Sequence, residues 1–249
     1  MKDYGNVPHE LAIFFRGISW SVFSAAFLFA GYSALEPYCR KRMPELMVSW
    51  KRLLSGKFND PRVGRDILFG LTNSVYVMIS WCLIAALWPQ AEIFENFQLL
   101  SGGRQILLHL GPDRTASLSY CFVCFLVFVG VASLTRSRTM AIVTSAVSSG
   151  LLQGTICQLP LTSWGLMVLS FVPVAIGLSR FGLLFYVTGA VGAALLGFPV
   201  TTNADAFYFQ TGLVGPLIFG LLVIFTAATS CGRSLSTFLI PEPRSSKSS

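Results

Sequence analysis

An all-α bundle of about seven membrane-crossing helices, with one interfacial amphipathic helix, is the fold class this sequence predicts. Three observations predict it. Of the 249 residues, 53% are hydrophobic and 12% charged, against about 25% charged in a typical soluble domain. Seven apolar stretches approach the ~20 residues a helix needs to cross roughly 30 Å of hydrocarbon with its backbone polar groups satisfied internally. The basic residues also alternate between connecting segments as an odd number of crossings requires. This composition excludes a water-soluble enzyme and a disordered chain.

The first stretch, 18–35, is too long for the apolar region of a secretory signal. It also lacks a small-residue cleavage site before its basic flank, so a retained anchor is expected. An outside start from a bare Met-Lys-Asp suggests that a preceding membrane segment has been lost. Stretches 67–88 and 116–134 follow. Stretch 140–159 is amphipathic, with Thr144, Ser145, Ser148, Ser149, Gln153 and Thr155. Stretches 161–178 and 183–200 are separated only by Ser179-Arg180-Phe181-Gly182. That tight turn puts Arg180 at an interface, where its charge avoids the cost of the bilayer centre. The last stretch is 207–229. Together the seven take more than half the chain, so a single membrane domain over 1–249 is expected, ending in a polar cytoplasmic tail at 233–249.

Charge sets the orientation. With the amino terminus outside, the inner segments collect Arg40, Lys41, Arg42, Lys51, Arg52, Lys57, Arg62, Arg65, Arg136, Arg138, Arg180, Arg233, Arg244 and Lys247. The outer segments hold only Lys2, Arg16, Arg104 and Arg114. Removing one central crossing would put either the first basic loop or the basic tail on the wrong side. The expectation is therefore N-out, C-in, with seven crossings. The net charge of +7 is an inner-face excess, and nucleic acid is not an expected partner.

The richest connection is 36–66, with eight positive and four negative residues. Pro44 opens a helical pattern with Leu46, Trp50, Leu53, Leu54 and Phe58 on one face. Glu45, Lys51, Arg52 and Lys57 take the other. This is the pattern of a helix lying among anionic headgroups, Trp at the interface and Lys reaching phosphates. Arg40, Lys41, Arg42, Trp50, Lys51, Arg52, Lys57, Arg62 and Arg65 are the candidate lipid- or partner-binding residues; a cytoplasmic signalling protein is the other candidate partner.

Outside, 89–115 contains Glu92, Glu95, Arg104, His109, Asp113 and Arg114 among many leucines, and reads as a hydrophobic cap. Its Ser101-Gly102-Gly103-Arg104 lacks the strand and the Lys-Ser/Thr of a phosphate loop. Asp205, in the outer turn 198–205, reads as a helix-capping acid, with a functional carboxylate as the alternative. Cys121-x-x-Cys124 has metal or redox spacing but lies in an apolar span with no His or acid near it, so both read as small buried hydrophobes. No cofactor and no metal is expected.

Intramembrane chemistry usually announces itself through ionisable residues within spans. Here His9 and His109 both fall outside them, and Ser149-Gly150 has no His partner. Catalysis and proton-coupled transport are not expected. The polar exception is the fourth span, where Ser145, Ser149 and Gln153 form one stripe and Ala146, Gly150 and Gly154 a small-residue stripe beside it. Helix packing is the ordinary use of such stripes; a polar path lined by Ser145, Ser149 and Gln153 is the sharper one. Gly189, Gly192 and Ala193, then Gly212, Gly215 and Gly220, fit the packing role. Pro173 and Pro216 sit within spans, where bundles tolerate them.

Several segments resemble one family. Ala34-Leu35-Glu36-Pro37-Tyr38, Trp50-Lys51-Arg52-Leu53-Leu54-Ser55-Gly56 and Asp60-Pro61-Arg62-Val63-Gly64-Arg65-Asp66-Ile67-Leu68 are similar to the multi-span membrane domain fused behind bacterial serine/threonine protein kinases. So are Arg180-Phe181-Gly182-Leu183-Leu184, 198–203 and Ala206-Phe207-Tyr208. The likeness covers roughly residues 10–235. The kinase itself is absent: the chain has no Gly-rich loop, no His-Arg-Asp loop and no Asp-Phe-Gly. The resemblance implies a bacterial inner-membrane location and a sensory or anchoring role, with no catalytic residues to carry over.

A non-enzymatic membrane module of sensory, anchoring or scaffold type is thus the leading expectation. A small transporter or permease subunit is its rival, and a structural subunit of a larger membrane complex is a third reading. The sequence leaves the oligomeric state open.

Overall fold

The computed structural model describes residues 7–88, 112–157, 159–198, 200 and 209–231. Among these residues there is no strand. The helices are α1 (Val7–Arg42), α2 (Val48–Leu54), α3 (Pro61–Leu87), α4 (Pro112–Thr135), α5 (Arg138–Ile156), α6 (Trp164–Phe181), α7 (Leu183–Leu196) and α8 (Phe209–Ser230). Short 3-10 turns at Pro44–Met47 and Leu161–Ser163 precede α2 and α6. The chain is an all-α bundle, and among the described residues six segments are long and apolar enough to cross a membrane, the 3-10 turn at Leu161 counting with α6.

The sixth expected crossing, 183–200, forms a helix only over Leu183–Leu196, 14 residues, or about 21 Å. Its end has a local cause. Pro199 has no N–H to donate and disfavours helical backbone at Phe198 before it. The last turn closes with the Gly197 N–H on the Ala193 carbonyl at 3.0 Å.

Other boundaries shift outward. α1 runs through Pro37 to Arg42, so Glu36 to Arg42 belong to a helix rather than to a loop. α3 begins at Pro61, six residues before the expected span. Its N-cap Asp60 accepts the Arg62 N–H at 2.9 Å, and Pro61 costs nothing in the first turn. Ser137 caps α5 in the same way, accepting from the Met140 N–H at 3.3 Å. The outer stretch 89–111, the turn containing Asp205 and the tail 233–249 lie outside the described residues.

Small residues hold the bundle together. α7 is its central helix, and it meets α3 where Gly70 abuts Thr188 and the Phe185 carbonyl, and where Gly192 abuts Ser74. In α5, Gly150 lies against the Val168 backbone of α6, and a Cβ on Gly154 would sit 3.4 Å from the Trp164 indole. The expected small-residue stripe of the fourth span therefore packs on α6. Gly215 of α8 abuts the Leu195 carbonyl of α7, but Gly220 has nothing within 4 Å and takes no part in packing. α1 leans on α4, leaving Val22, Phe23 and Phe29 exposed, as lipid-facing residues are.

The basic connections gather at one end. Glu45 meets Arg138 at 3.8 Å, Gly182 abuts the Leu46 carbonyl, and Gly64 of α3 abuts Thr229 of α8.

Candidate functional site

The segment between α1 and α3 is folded onto the basic end of the bundle. The 3-10 turn inserts Leu46 and Met47 into the core, and Ser49 of α2 is 3% exposed. Gly56, at φ +79°, follows α2. Leu54 and Phe58 remain exposed. The single apolar face expected from Leu46 to Phe58 is therefore divided between core and surface, and the α-helix itself covers only Val48–Leu54. Trp50, expected at a headgroup interface, instead turns its ring into the bundle, edge-on to Phe122 at 6.2 Å.

Charge pairing fixes this segment. The Ser49 hydroxyl donates to Oδ2 of Asp66, and Arg65 donates to Oδ1 through Nε at 3.1 Å and Nη2 at 3.0 Å. Asp66 is 2% exposed, and burying a polar side chain is favourable only when its atoms are hydrogen-bonded. Arg65 also lies over the Phe181 ring, 5.8 Å from its centroid, and that ring stacks on Phe69 at 4.5 Å. Lys51 pairs with Glu36 at 3.1 Å, and Arg52 with Asp60 at 2.6 Å. The Arg62 backbone N–H holds the Asp60 carboxyl below its ordinary range, with the Arg52 guanidinium acting in the same direction.

The nine candidate residues of this face thus divide. Lys51, Arg52 and Arg65 are engaged in internal ion pairs, and Trp50 is a packing residue. Lys41, Lys57 and Arg62 are exposed. The side chains of Arg40 and Arg42 lie outside the described residues.

The polar stripe of α5 divides too. Ser145 and Ser149 are buried. The Ser149 hydroxyl donates to Cys124 Sγ at 3.5 Å, and its carbonyl accepts from the Tyr120 hydroxyl at 3.4 Å. Gln153 alone of the three lines a cavity of about 420 Å³, in the half of the bundle away from the basic end. Asn73 and Trp81 of α3, Tyr120 of α4 and Phe171 of α6 contribute to its walls, with the small side chains of α7. Cys121 also lines it, and both Cys121 and Cys124 are buried. Among the described residues no cluster of His, Cys, Asp or Glu is arranged to hold a metal.

Ser49 carries no signal of charge or periodicity, and Asp66 and Gly182 stand out in the sequence only as members of the segments 60–68 and 179–184. Their signals were local: an Asp-Pro cap six residues before Asp66, and a glycine directly after a helical pattern.

No family model matches the chain, and neither a curated protein nor a solved structure is significantly similar to it.

Proposed function

We propose that this chain is a non-catalytic, multi-pass membrane module of sensory, anchoring or scaffold type, with its amino terminus outside and its basic end in the cytoplasm. The positive-inside rule supports the orientation, since the basic connections fall on one side when the crossings alternate. α7 counts as a crossing in this reading. The resemblance to kinase-associated membrane domains supports a bacterial inner membrane and a signalling context.

The observation that carries the proposal is the attachment of the basic segment through Ser49, Asp66 and Arg65. A loop serving only to set topology would need no buried carboxylate. Here the segment is a fixed platform in register with the Phe181–Gly182 turn, so a rearrangement of α6 or α7 moves it. Lys41, Lys57 and Arg62 remain on its surface for anionic headgroups or an acidic face of a cytoplasmic protein.

A photo-crosslinking residue in place of Lys57, activated in native membranes, tests this. Adducts to a cytoplasmic protein support the signalling role, and adducts to anionic lipid alone support anchoring. Reaction only with reagents added outside would refute the reading.

A further inference from the structure

Within the six long apolar segments and α7, the carboxamides among the described residues are Asn73 of α3 and Gln153 of α5. Both line the same cavity of about 420 Å³, enclosed by α3, α4, α5, α6 and α7. Carboxamides inside a membrane ordinarily hydrogen-bond to a neighbouring helix, because hydrocarbon offers them no partner. Asn73 does not. It lies near the middle of α3, and its side chain makes no hydrogen bond among the described residues. Gln153 donates through Nε2 to Cys157 Sγ at 3.4 Å, which leaves its Oε1 without a donor.

These free atoms are open. Among the described residues, the side-chain polar atoms that are both sealed off and unpartnered are the indole nitrogens of Trp50 and Trp81. A Cβ on Gly189, itself a wall of the cavity, would sit 3.3 Å from Asn73 Nδ2, so α7 leaves the amide room there. The free groups specify a chemistry. Asn73 Oδ1 and Gln153 Oε1 accept, and Asn73 Nδ2 donates. A ligand that only accepts, such as a ketone, would leave both oxygens unmatched. Among the described lining residues there is no Asp, Glu, Lys, Arg or His, so a charged ligand would surrender its hydration with no countercharge in return. Val77, Met78, Ile156, Phe171 and Val174 make much of the wall apolar, as in sites that hold a hydrocarbon body and fix it by a few polar groups.

We propose that this cavity binds an uncharged amphipathic compound of the amide class. Its carbonyl accepts from Asn73 Nδ2, and its N–H groups donate to Asn73 Oδ1 and Gln153 Oε1. Its apolar body lies among the aliphatic and aromatic walls. This binding does not depend on whether the basic platform docks a signalling protein, so either proposal can fail alone.

The test uses the full chain in lipid nanodiscs, with empty nanodiscs measuring partition into lipid. The probes are benzamide and acetophenone, which share a ring and a carbonyl and differ in that acetophenone has a methyl group where benzamide has its N–H donors. Equilibrium dialysis should show saturable uptake of benzamide, about three- to tenfold tighter than acetophenone, as one neutral hydrogen bond provides. Asn73→Leu keeps the size of the side chain and removes the amide, and should abolish that preference. Because Asn73 gives up no partner in the bundle, the melting temperature of this variant should not fall. Gln153→Met, which retains Asn73, should reduce the preference and tests the site independently. Thr72→Val, at the exposed neighbouring position, should leave both probes unchanged. Ala193→Leu fills the cavity and should weaken both. Circular dichroism and monodisperse elution establish that each variant is folded. Non-saturable partition, equal affinity for the two probes, or a preference that survives both Asn73→Leu and Gln153→Met would overturn the proposal and leave water as the partner of the two amides.

Discussion

The Ser49 hydroxyl donates to the Asp66 carboxylate, tying a seven-residue helix between two spans to the first turns of α3. Both residues are buried, so neither exchanges this bond freely for water. Replacing Ser49 by Ala leaves one carboxylate oxygen without this donor. Stability should fall by about 1–2 kcal/mol, read as earlier thermal unfolding in detergent with a thiol-reactive dye reporting on the buried cysteines. Protease nicking between α2 and α3 should rise as well.

Gly182 provides the second hold on the same segment. Its backbone, at φ +78° and ψ −157°, lies in a region that is essentially glycine-only and costs other residues about 1–3 kcal/mol. A Cβ there would also strike the Leu46 carbonyl. Gly182→Ala should therefore lower stability by about 3 kcal/mol or more. Gly220→Ala, with open space around it, should be neutral or slightly stabilising, since Ala is the better helix former by about 1 kcal/mol. A melting series on the two variants separates the cases.

The α3–α7 contact sets a third expectation. A methyl group on Gly192 would collide with the Ser74 side chain, whose hydroxyl donates to the Leu71 carbonyl at 2.6 Å. Gly192→Ala should cost about 1–3 kcal/mol through overpacking. Ser74→Ala in the same chain should recover part of that loss, a coupling that a double-mutant cycle measures.

Acid should loosen the start of α3. The Asp60 carboxyl lies below its ordinary range in the folded chain, through the Arg62 N–H and then Arg52. A carboxyl shifted in this direction stabilises the fold above its unfolded value, near 3.8. That contribution is lost as pH falls through the lower folded value. Asp60→Asn still caps the helix but does not titrate. The acid-side drop in melting temperature should therefore be smaller in this variant than in the parent protein.

Helix type and the approximate places of the spans were legible in the sequence because length and apolarity act locally. Their ends were less so. Pro61 falls before the apolar run of α3, and hydropathy passes over it although Asp60-Pro61 is a strong helix start. Pro199 shortens α7 although 183–200 reads as one apolar stretch. The small-residue stripe of α5 was legible as packing, since Gly150 and Gly154 allow close approach. Ser145, Ser149 and Gln153 share a face on paper. Only the placement of α4 decides that Ser149 meets Cys124 while Gln153 meets the cavity. The burial of Asp66 is likewise a tertiary fact, because it depends on where α2 folds back. Asn73 is legible as a carboxamide inside an apolar stretch, but its lack of a partner is visible only once its neighbours are in place.

The central claim is that the basic end, with its fixed platform, faces the cytoplasm. Lys57→Cys and Gly102→Cys, each in a chain cleared of native cysteines, test it with a membrane-impermeant maleimide. The account predicts labelling of Cys at 102 in spheroplasts with an intact inner membrane, and of Cys at 57 only after permeabilisation. Labelling of position 57 from outside would contradict it.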